Sequence, residues 1–329
     1  MQAQEFAPAK WSIAQRMMNG THADIERTFS EGRLLRTHVL RPTWHFILRD
    51  DIRWVLRATA PGVQAFNAPY YRQTDLSAAA LSRANRLIVR WLEGGAQLTR
   101  AEVSARLAKE RIAAEGLRLA CIMMNAELEG IVCSGARRGK QHTYALLDDR
   151  APGGATAATR ETALARLAVR FFEGHGPATV RDFRWWATLK AREAAAAIEA
   201  AGSKLREVRA GARTYWMSAS EEVPSRRASN WVRLLQGYDE YVVAFSETKD
   251  VFGGARLAGP RRTDGAQFLH AIVAGTEVIG HWRPVARGTR ACGVEWYANR
   301  PLTPSENASL RGEIARYETF FASASQDVP

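Results

Sequence analysis

Between Leu81 and Leu147 the chain spells out three helices and a hairpin, and the same order returns after Arg160. Apolar residues at Leu81, Ala84, Leu87, Ile88, Trp91 and Leu92 keep helical spacing until Gly94-Gly95 ends the run. Thr99 with Glu102 three residues on is a capping box, which opens a second helix reaching about Glu110. A third helix covers Gly116 to Leu128, and strands follow at Ile131–Ser134 and His142–Leu147 around the basic turn Gly135–Lys140. In the second copy, Leu164, Leu167, Ala168, Phe171 and Phe172 form the helical stripe, and Gly174-His175-Gly176-Pro177 breaks it. Thr179 and Asp182 repeat the cap, a helix spans Ala191–Ala201, and Leu205–Val208 pairs with Thr214–Met217. The beginning of the chain reads as a partial copy. Thr21 caps a helix carrying Ile25 and Phe29, strands cover Leu35–Leu40 and Trp44–Leu48, and Asp50 caps a linking helix through Ile52, Val55 and Leu56. The opening helix of that copy is missing from the pattern.

Helix, helix, helix, hairpin is the winged-helix order, in which the third helix can enter the major groove and the hairpin can reach phosphates. Several copies are a stronger signal than one. After Met217 the texture changes. Pro224-Ser225-Arg226-Arg227 reads as a linker, and strands are expected at Trp231–Leu235, Glu240–Phe245, Phe268–Val273, Thr276–Trp282 and Cys292–Tyr297. An amphipathic helix over 305–322 carries Leu310, Ile314, Tyr317, Phe320 and Phe321. The fold class is therefore α+β: tandem winged-helix (helix-turn-helix) units followed by a small C-terminal β-barrel-like domain. The expected divisions are 1–72 for an N-terminally incomplete first unit, 73–150, 151–223, and 224–329.

Lys and Arg outnumber Asp and Glu by 46 to 34, a net charge of +12 that suits a polyanionic partner. An Arg-rich codon bias gives the same balance, so charge alone leaves nucleic acid open. With 46% hydrophobic and 24% charged residues, packed cores are expected rather than disorder. Cys121, Cys133 and Cys292 form no CxxC pair, which argues against a zinc knuckle and for reduced thiols in a cytoplasmic protein. No apolar run is long enough to span a membrane, and no signal-peptide pattern leads the chain. The chain begins as if inside an element, which suggests a start codon placed too late. The histidines keep no HxxxH or HExxH spacing, and neither a phosphate-binding loop nor a dinucleotide fingerprint is present, so no metal and no cofactor are expected.

The residues resemble the AlkZ-type winged-helix DNA glycosylases over nearly the whole chain. The resemblance rests on Gln2-Ala3-Gln4 followed by Ala7–Ile13, on Leu35–Phe46 with its Ser/Thr-hydrophobic-His element, and on Asp50–Trp54. Gly174–Thr179, Asp182-Phe183, Trp185-Trp186, Leu234-Leu235, Tyr238–Tyr241 and Gly280–Arg283 continue it. It implies three winged helices and a C-terminal β-domain around a DNA channel. It also implies excision of N7-alkylated purines, or unhooking of interstrand crosslinks, with Gln2 and Gln4 doing the chemistry. An N7-alkylpurine is cationic, so its glycosidic bond is already weakened. Neutral carboxamides, each with a carbonyl acceptor and two donors, can place a water and stabilise the sugar cation. On an extended segment the two glutamines would face one side.

For His45 two readings stand: a catalytic or DNA-orienting group, or a half-buried histidine bonded to backbone. Trp44 alternates with it and is expected to face the core. Asp239 and Glu240, as neighbours on a strand, would point to opposite faces and serve structure. Lys10 and Lys140, the best-placed amines, have no supporting acid nearby in sequence, so a monofunctional hydrolase is favoured over a lyase. Candidate contacts to double-stranded DNA are Arg41 and Thr43, the wing residues Arg137, Arg138 and Lys140, and Arg206, Arg209 and Arg213. The function so read is DNA repair by a DNA glycosylase that acts as a monomer. The alternative is a non-enzymatic winged-helix DNA-binding protein or transcription regulator, since tandem winged helices also bind DNA without chemistry.

Overall fold

The computed structural model describes residues 1–153, 159–222, 231–248, 270–287 and 291–322. The expected linker at Pro224–Arg227 lies outside them. The fold is mixed α+β, and the chain divides into two compact units. One comprises Met1–Glu26 with Ala219–Pro329, and the other comprises Arg27–Ser218.

The chain opens with a helix the sequence pattern hides, α1 (Phe6–Ala14). Ala9, Lys10, Trp11, Ser12 and Ala14 are all buried, so no polar face marks its period, and Glu5 at the N-cap makes no side-chain cap bond. In α2 (His22–Ser30), Thr21 Oγ1 accepts from the Asp24 N–H as expected. Strands β1 (Leu34–Val39) and β2 (Arg41–Leu48) pair antiparallel, with Thr37 opposite His45 and His38 opposite Trp44. Next, α3 (Ile52–Gln73) runs straight through Pro61 and Pro69. Asp51, not Asp50, holds its N-cap position, and the Asp51 carboxylate takes the Trp54 indole N–H and Arg166 instead of a backbone amide. At Gly62 a side chain would collide with the Thr188 carbonyl oxygen, so glycine here permits the close passage of α3.

The first full repeat follows the expected order: α4 (Ala78–Leu92), β3 (Leu98–Thr99), α5 (Arg100–Lys109), α6 (Gly116–Leu128), β4 (Val132–Ser134), β5 (Thr143–Leu146) and the short α7 (Leu147–Arg150). Both halves of the Thr99–Glu102 capping box form. Leu81, Ala84, Ile88 and Leu92 of α4 meet Val103 and Leu107 of α5 and Ile122 and Met123 of α6 in one core, which Val132 and Tyr144 of the small sheet close. The second repeat has α8 (Arg160–His175), α9 (Val180–Ala187), α10 (Ala191–Ala201) and the hairpin β6 (Leu205–Ala210) with β7 (Arg213–Ser218). Its aromatic core packs Phe171, Phe172 and Phe183 at ring-centroid distances of 5.0–5.6 Å, and Thr179 and Asp182 form a second capping box.

The other unit holds β8 (Val232–Leu235), α11 (Glu240–Val243), β9 (His270–Ala274), β10 (Glu277–Arg287), β11 (Ala291–Ala298) and α12 (Pro304–Ala322). Two expectations are corrected here. The described strands make one antiparallel four-stranded sheet in the order β11-β10-β9-β8, and no closed barrel is found among the described residues. Glu240–Phe245 was expected as a strand, but Glu240–Val243 is helical. The run Tyr241-Val242-Val243 has strand propensity, yet Asp239 caps it by accepting from the Tyr241 N–H at 2.9 Å. Behind the sheet, α1 and α12 contribute Trp11, Tyr317, Phe320 and Phe321, with the Trp11 indole N–H donating to the Leu234 carbonyl at 2.8 Å.

Candidate active site

Gln2 is buried and Gln4 is exposed. The Gln2 main-chain N–H donates to Glu240 Oε1 at 2.9 Å, which ties the start of the chain to the helical turn α11. That turn is itself anchored by Asp239, whose side chain is fully buried. Asp239 Oδ1 accepts from Arg16 Nη2 at 2.7 Å and from the Tyr241 N–H, while Oδ2 accepts from Arg16 Nη1 at 2.9 Å and Ser12 Oγ at 2.7 Å. A two-pronged arginine–carboxylate pair with two more donors leaves the carboxylate fully supplied. Burial works against the charge on Arg16, but Asp239 and then Glu240 outweigh it, and its pKa is raised. Burial, with the nearby Glu5 charge adding to it, also pushes the Tyr238 phenol up. The result is a chain of contacts from α1 through Asp239 and Glu240 to Gln2.

In the other unit, His45 is only 1% exposed and its Nδ1 lies 2.9 Å from the Thr43 carbonyl. The carbonyl can only accept, so Nδ1 carries a proton. The expected division between His45 and Trp44 is reversed: the histidine is buried and the tryptophan half-buried. Trp44 is flanked by the His38 ring at 4.5 Å and the Arg36 guanidinium at 4.3 Å, and His38 Nδ1 pairs with the buried Glu127. Burial lowers Arg36 to about 10 despite the Glu127 charge. Thr43 is half-buried and Arg41 is buried.

The structure places Arg137, Arg138 and Lys140 at one hairpin tip and Arg209 and Arg213 at another. At the first, Lys140 is exposed and Arg137 half-buried, whereas Arg138 is engaged by Glu102 Oε1 at 2.8 Å and the Gln97 carbonyl at 2.7 Å. Glu102 is held down at about 2, first by the Thr99 N–H and then by Arg138. At the second tip Arg209 and Arg213 are exposed, with Arg209 Nε donating to Glu207 at 2.9 Å, whereas Arg206 is half-buried at the other end of the hairpin, opposite Met217. Among the described residues no group of three His, Cys, Asp or Glu could hold a metal ion, and no helix is long and apolar enough to cross a membrane. The three cysteines are buried and unbridged.

A family model described as "DNA glycosylase AlkZ-like" matches residues 1–320. The chain belongs to the AlkZ-like DNA glycosylase family. It is 23% identical over 298 residues to a Streptomyces sahachiroi protein named "Interstrand DNA cross-link repair glycosylase", covering 87% of this chain and 80% of that one. Its fold is similar to the solved structure of the Streptomyces sahachiroi DNA glycosylase AlkZ. That match has a TM-score of 0.77 at 20% identity and covers all of this chain and 90% of the other.

Sequence reasoning on this AlkZ-like chain did not single out Arg16 and Ser12. The available signal was weak: Ser12 and Arg16 are one helical turn apart at the end of a helix whose period is hidden. It also missed the acid that accompanies Lys10. The fully buried Lys10 Nζ lies 2.8 Å from Glu26 Oε2 and 2.6 Å from His22 Nε2. Both partners come from α2, out of reach of any local pattern.

Proposed function

We propose that the chain is a monofunctional DNA glycosylase that removes bulky N7-alkylpurines from double-stranded DNA or unhooks interstrand crosslinks. The family match running from residue 1, and so including Gln2-Ala3-Gln4, carries this reading. The name of the Streptomyces sahachiroi relative supports crosslinks among the substrates. In the reaction, the bond between sugar C1′ and the purine nitrogen breaks and both electrons go to the cationic base, which leaves neutral. Water then adds to C1′ and releases its proton to solvent. The Gln2 and Gln4 carboxamides orient that water and stabilise the positive sugar, while the buried His45 acts on its own hairpin through the Thr43 carbonyl and not on DNA directly. Water is the only co-reactant, and no cofactor takes part.

Lys10 supports hydrolysis over lyase chemistry. A nucleophilic amine must reach C1′, and this one is sealed in a helix pair with His22 and Glu26. The three helix-and-hairpin segments are read as winged helices on the duplex, in a protein that works as a monomer. The test is incubation with duplexes carrying N7-methylguanine or a nitrogen-mustard crosslink. Both should give alkali-labile abasic sites with no strand cleavage before alkali; N7-methylguanine leaves as the free base, whereas the crosslinked strands become separable and the excised base stays tethered to the opposite strand. A sequence-specific footprint with no base loss would overturn the enzyme reading in favour of a DNA-binding regulator.

Thr43, the tip residues Arg137, Arg138 and Lys140, and Arg206, Arg209 and Arg213 are assigned to the DNA backbone; Arg41, expected there too, is buried and is left out of the interface. Neutralising Arg137, Arg138 and Lys140 together should flatten the slope of log K against log salt by about 2, since each phosphate contact contributes about 0.9. Three full contacts would give more, but Arg138 is already shared with Glu102. Titrations between low and high salt measure this, and an unchanged slope removes the first hairpin tip from the interface.

A further inference from the structure

Within the unit formed by Met1–Glu26 and Ala219–Pro329 lies a cavity of about 170 Å³ that the proposed chemistry does not use. Its apolar floor is Leu235 and Val273 of the sheet, and its aromatic walls are Trp231 and Tyr241. Arg16, Arg233 and Gln15 supply the polar edge. The size suits one aromatic ring, since a cavity of about 150 Å³ holds benzene.

The polar edge sorts ligands by charge. Arg16 has both terminal nitrogens on Asp239, and Arg233 stands 3.9 Å from Glu313 while lying 5.4 Å over the Trp231 ring. Each guanidinium is thus backed by a carboxylate, which leaves donors facing the cavity but little net charge to hold a phosphate. A cationic alkylpurine gains nothing from facing two guanidiniums. Gln15 Nε2 is already given to Glu313 at 2.6 Å, so the arginines are the donors this edge offers. A neutral ring with carbonyl acceptors for arginine meets these requirements, and aromatic walls stack such a ring; cytosine and thymine carry such carbonyls and adenine does not.

We propose that this cavity binds one unpaired pyrimidine base of the DNA, distinct from the base that is excised. The inference rests on the DNA-substrate reading and deepens it. Tyr241 belongs to the same helical turn as Glu240, which holds the Gln2 main chain, so an occupied cavity would brace the segment carrying the proposed chemistry.

The full chain is titrated with a fully paired duplex and with duplexes containing a single bulged cytosine, thymine or adenine. The bulged pyrimidines should bind more tightly than the paired duplex or the bulged adenine. Trp231→Ala should erase about tenfold of that preference, the scale of one base–aromatic stack, while leaving paired-duplex affinity unchanged, and Trp231→Phe should retain most of it. A bulged 5-iodouracil should photocrosslink to wild-type protein at Trp231 or Tyr241, a readout that needs no variant. Duplex binding without a pyrimidine preference, or a crosslink mapping elsewhere, overturns the pocket alone. Absence of binding to every duplex overturns the DNA reading and the pocket with it.

Discussion

Replacing Gln2 and Gln4 together with alanine should cut single-turnover base release by about a hundredfold or more, the scale lost when one preorganised polar group is removed from a developing charge. Affinity for the same duplex should stay within about twofold, because the charge that holds DNA is supplied elsewhere. The asymmetry between the two glutamines adds a second expectation. Gln2 is buried and its backbone is fixed by Glu240, whereas Gln4 is exposed. A group held before the reaction has less to reorganise during it, so Gln2→Ala should cost more than Gln4→Ala. Restoring an acceptor with Gln2→Asn should recover little, since one methylene moves the carbonyl by more than a hydrogen bond tolerates. The measurement is release of N7-methylguanine with enzyme in excess. A double variant that excises at the wild-type rate would remove the glutamines from the chemistry and leave the family membership intact.

What the sequence made legible depends on how far apart the interacting residues lie. The Thr99–Glu102 and Thr179–Asp182 capping boxes could be read directly because each closes over three residues, and both form. The α4 stripe could be read because one face is buried and the other carries Arg83, Arg86 and Arg90. Helix α1 could not, because burial on nearly every side removes the contrast that periodicity needs. The turn after Asp239 was misread for a different reason. Local strand propensity is genuine in Tyr241-Val242-Val243, but the carboxylate that bends the chain is held by Arg16, 223 positions away. The candidate site follows the same rule. Gln2-Ala3-Gln4 stands out only by resemblance, and the bond from Gln2 to Glu240 spans 238 positions. At the first hairpin tip the basic run was visible, but Arg138's commitment to Glu102 was not.

Arg16→Ala should destabilise the fold by about 2 kcal/mol, because it leaves the buried Asp239 carboxylate without its counter-charge. Breaking a fully buried pair commonly costs about 3–5 kcal/mol; the loss here falls below that because the Arg16 side chain is 43% exposed, so water screens the site, and Ser12 Oγ and the Tyr241 N–H still donate to the carboxylate. Arg16→Lys should recover only part, since an ammonium cannot supply the two parallel bonds at 2.7 and 2.9 Å. The double variant Arg16→Met with Asp239→Asn should be more stable than Arg16→Ala alone, because the uncompensated charge of Asp239 is then gone. The sign with pH follows from the raised pKa of Arg16: its stabilising contribution is complete below the ordinary arginine range and is lost only as pH rises above it, so the arginine's charge gives the defect no pH dependence across the neutral range. Denaturant melts measure the energies. A positioning role makes one demand that a purely structural role does not: hydrogen exchange at the Gln2 amide, which donates to Glu240 in the turn Asp239 caps, should accelerate in Arg16→Lys under conditions where the protein remains folded. Base release should fall with it. A destabilised Arg16→Lys protein with an unchanged Gln2 exchange rate and full excision per folded molecule would confine the Arg16–Asp239 pair to holding α1 against α11.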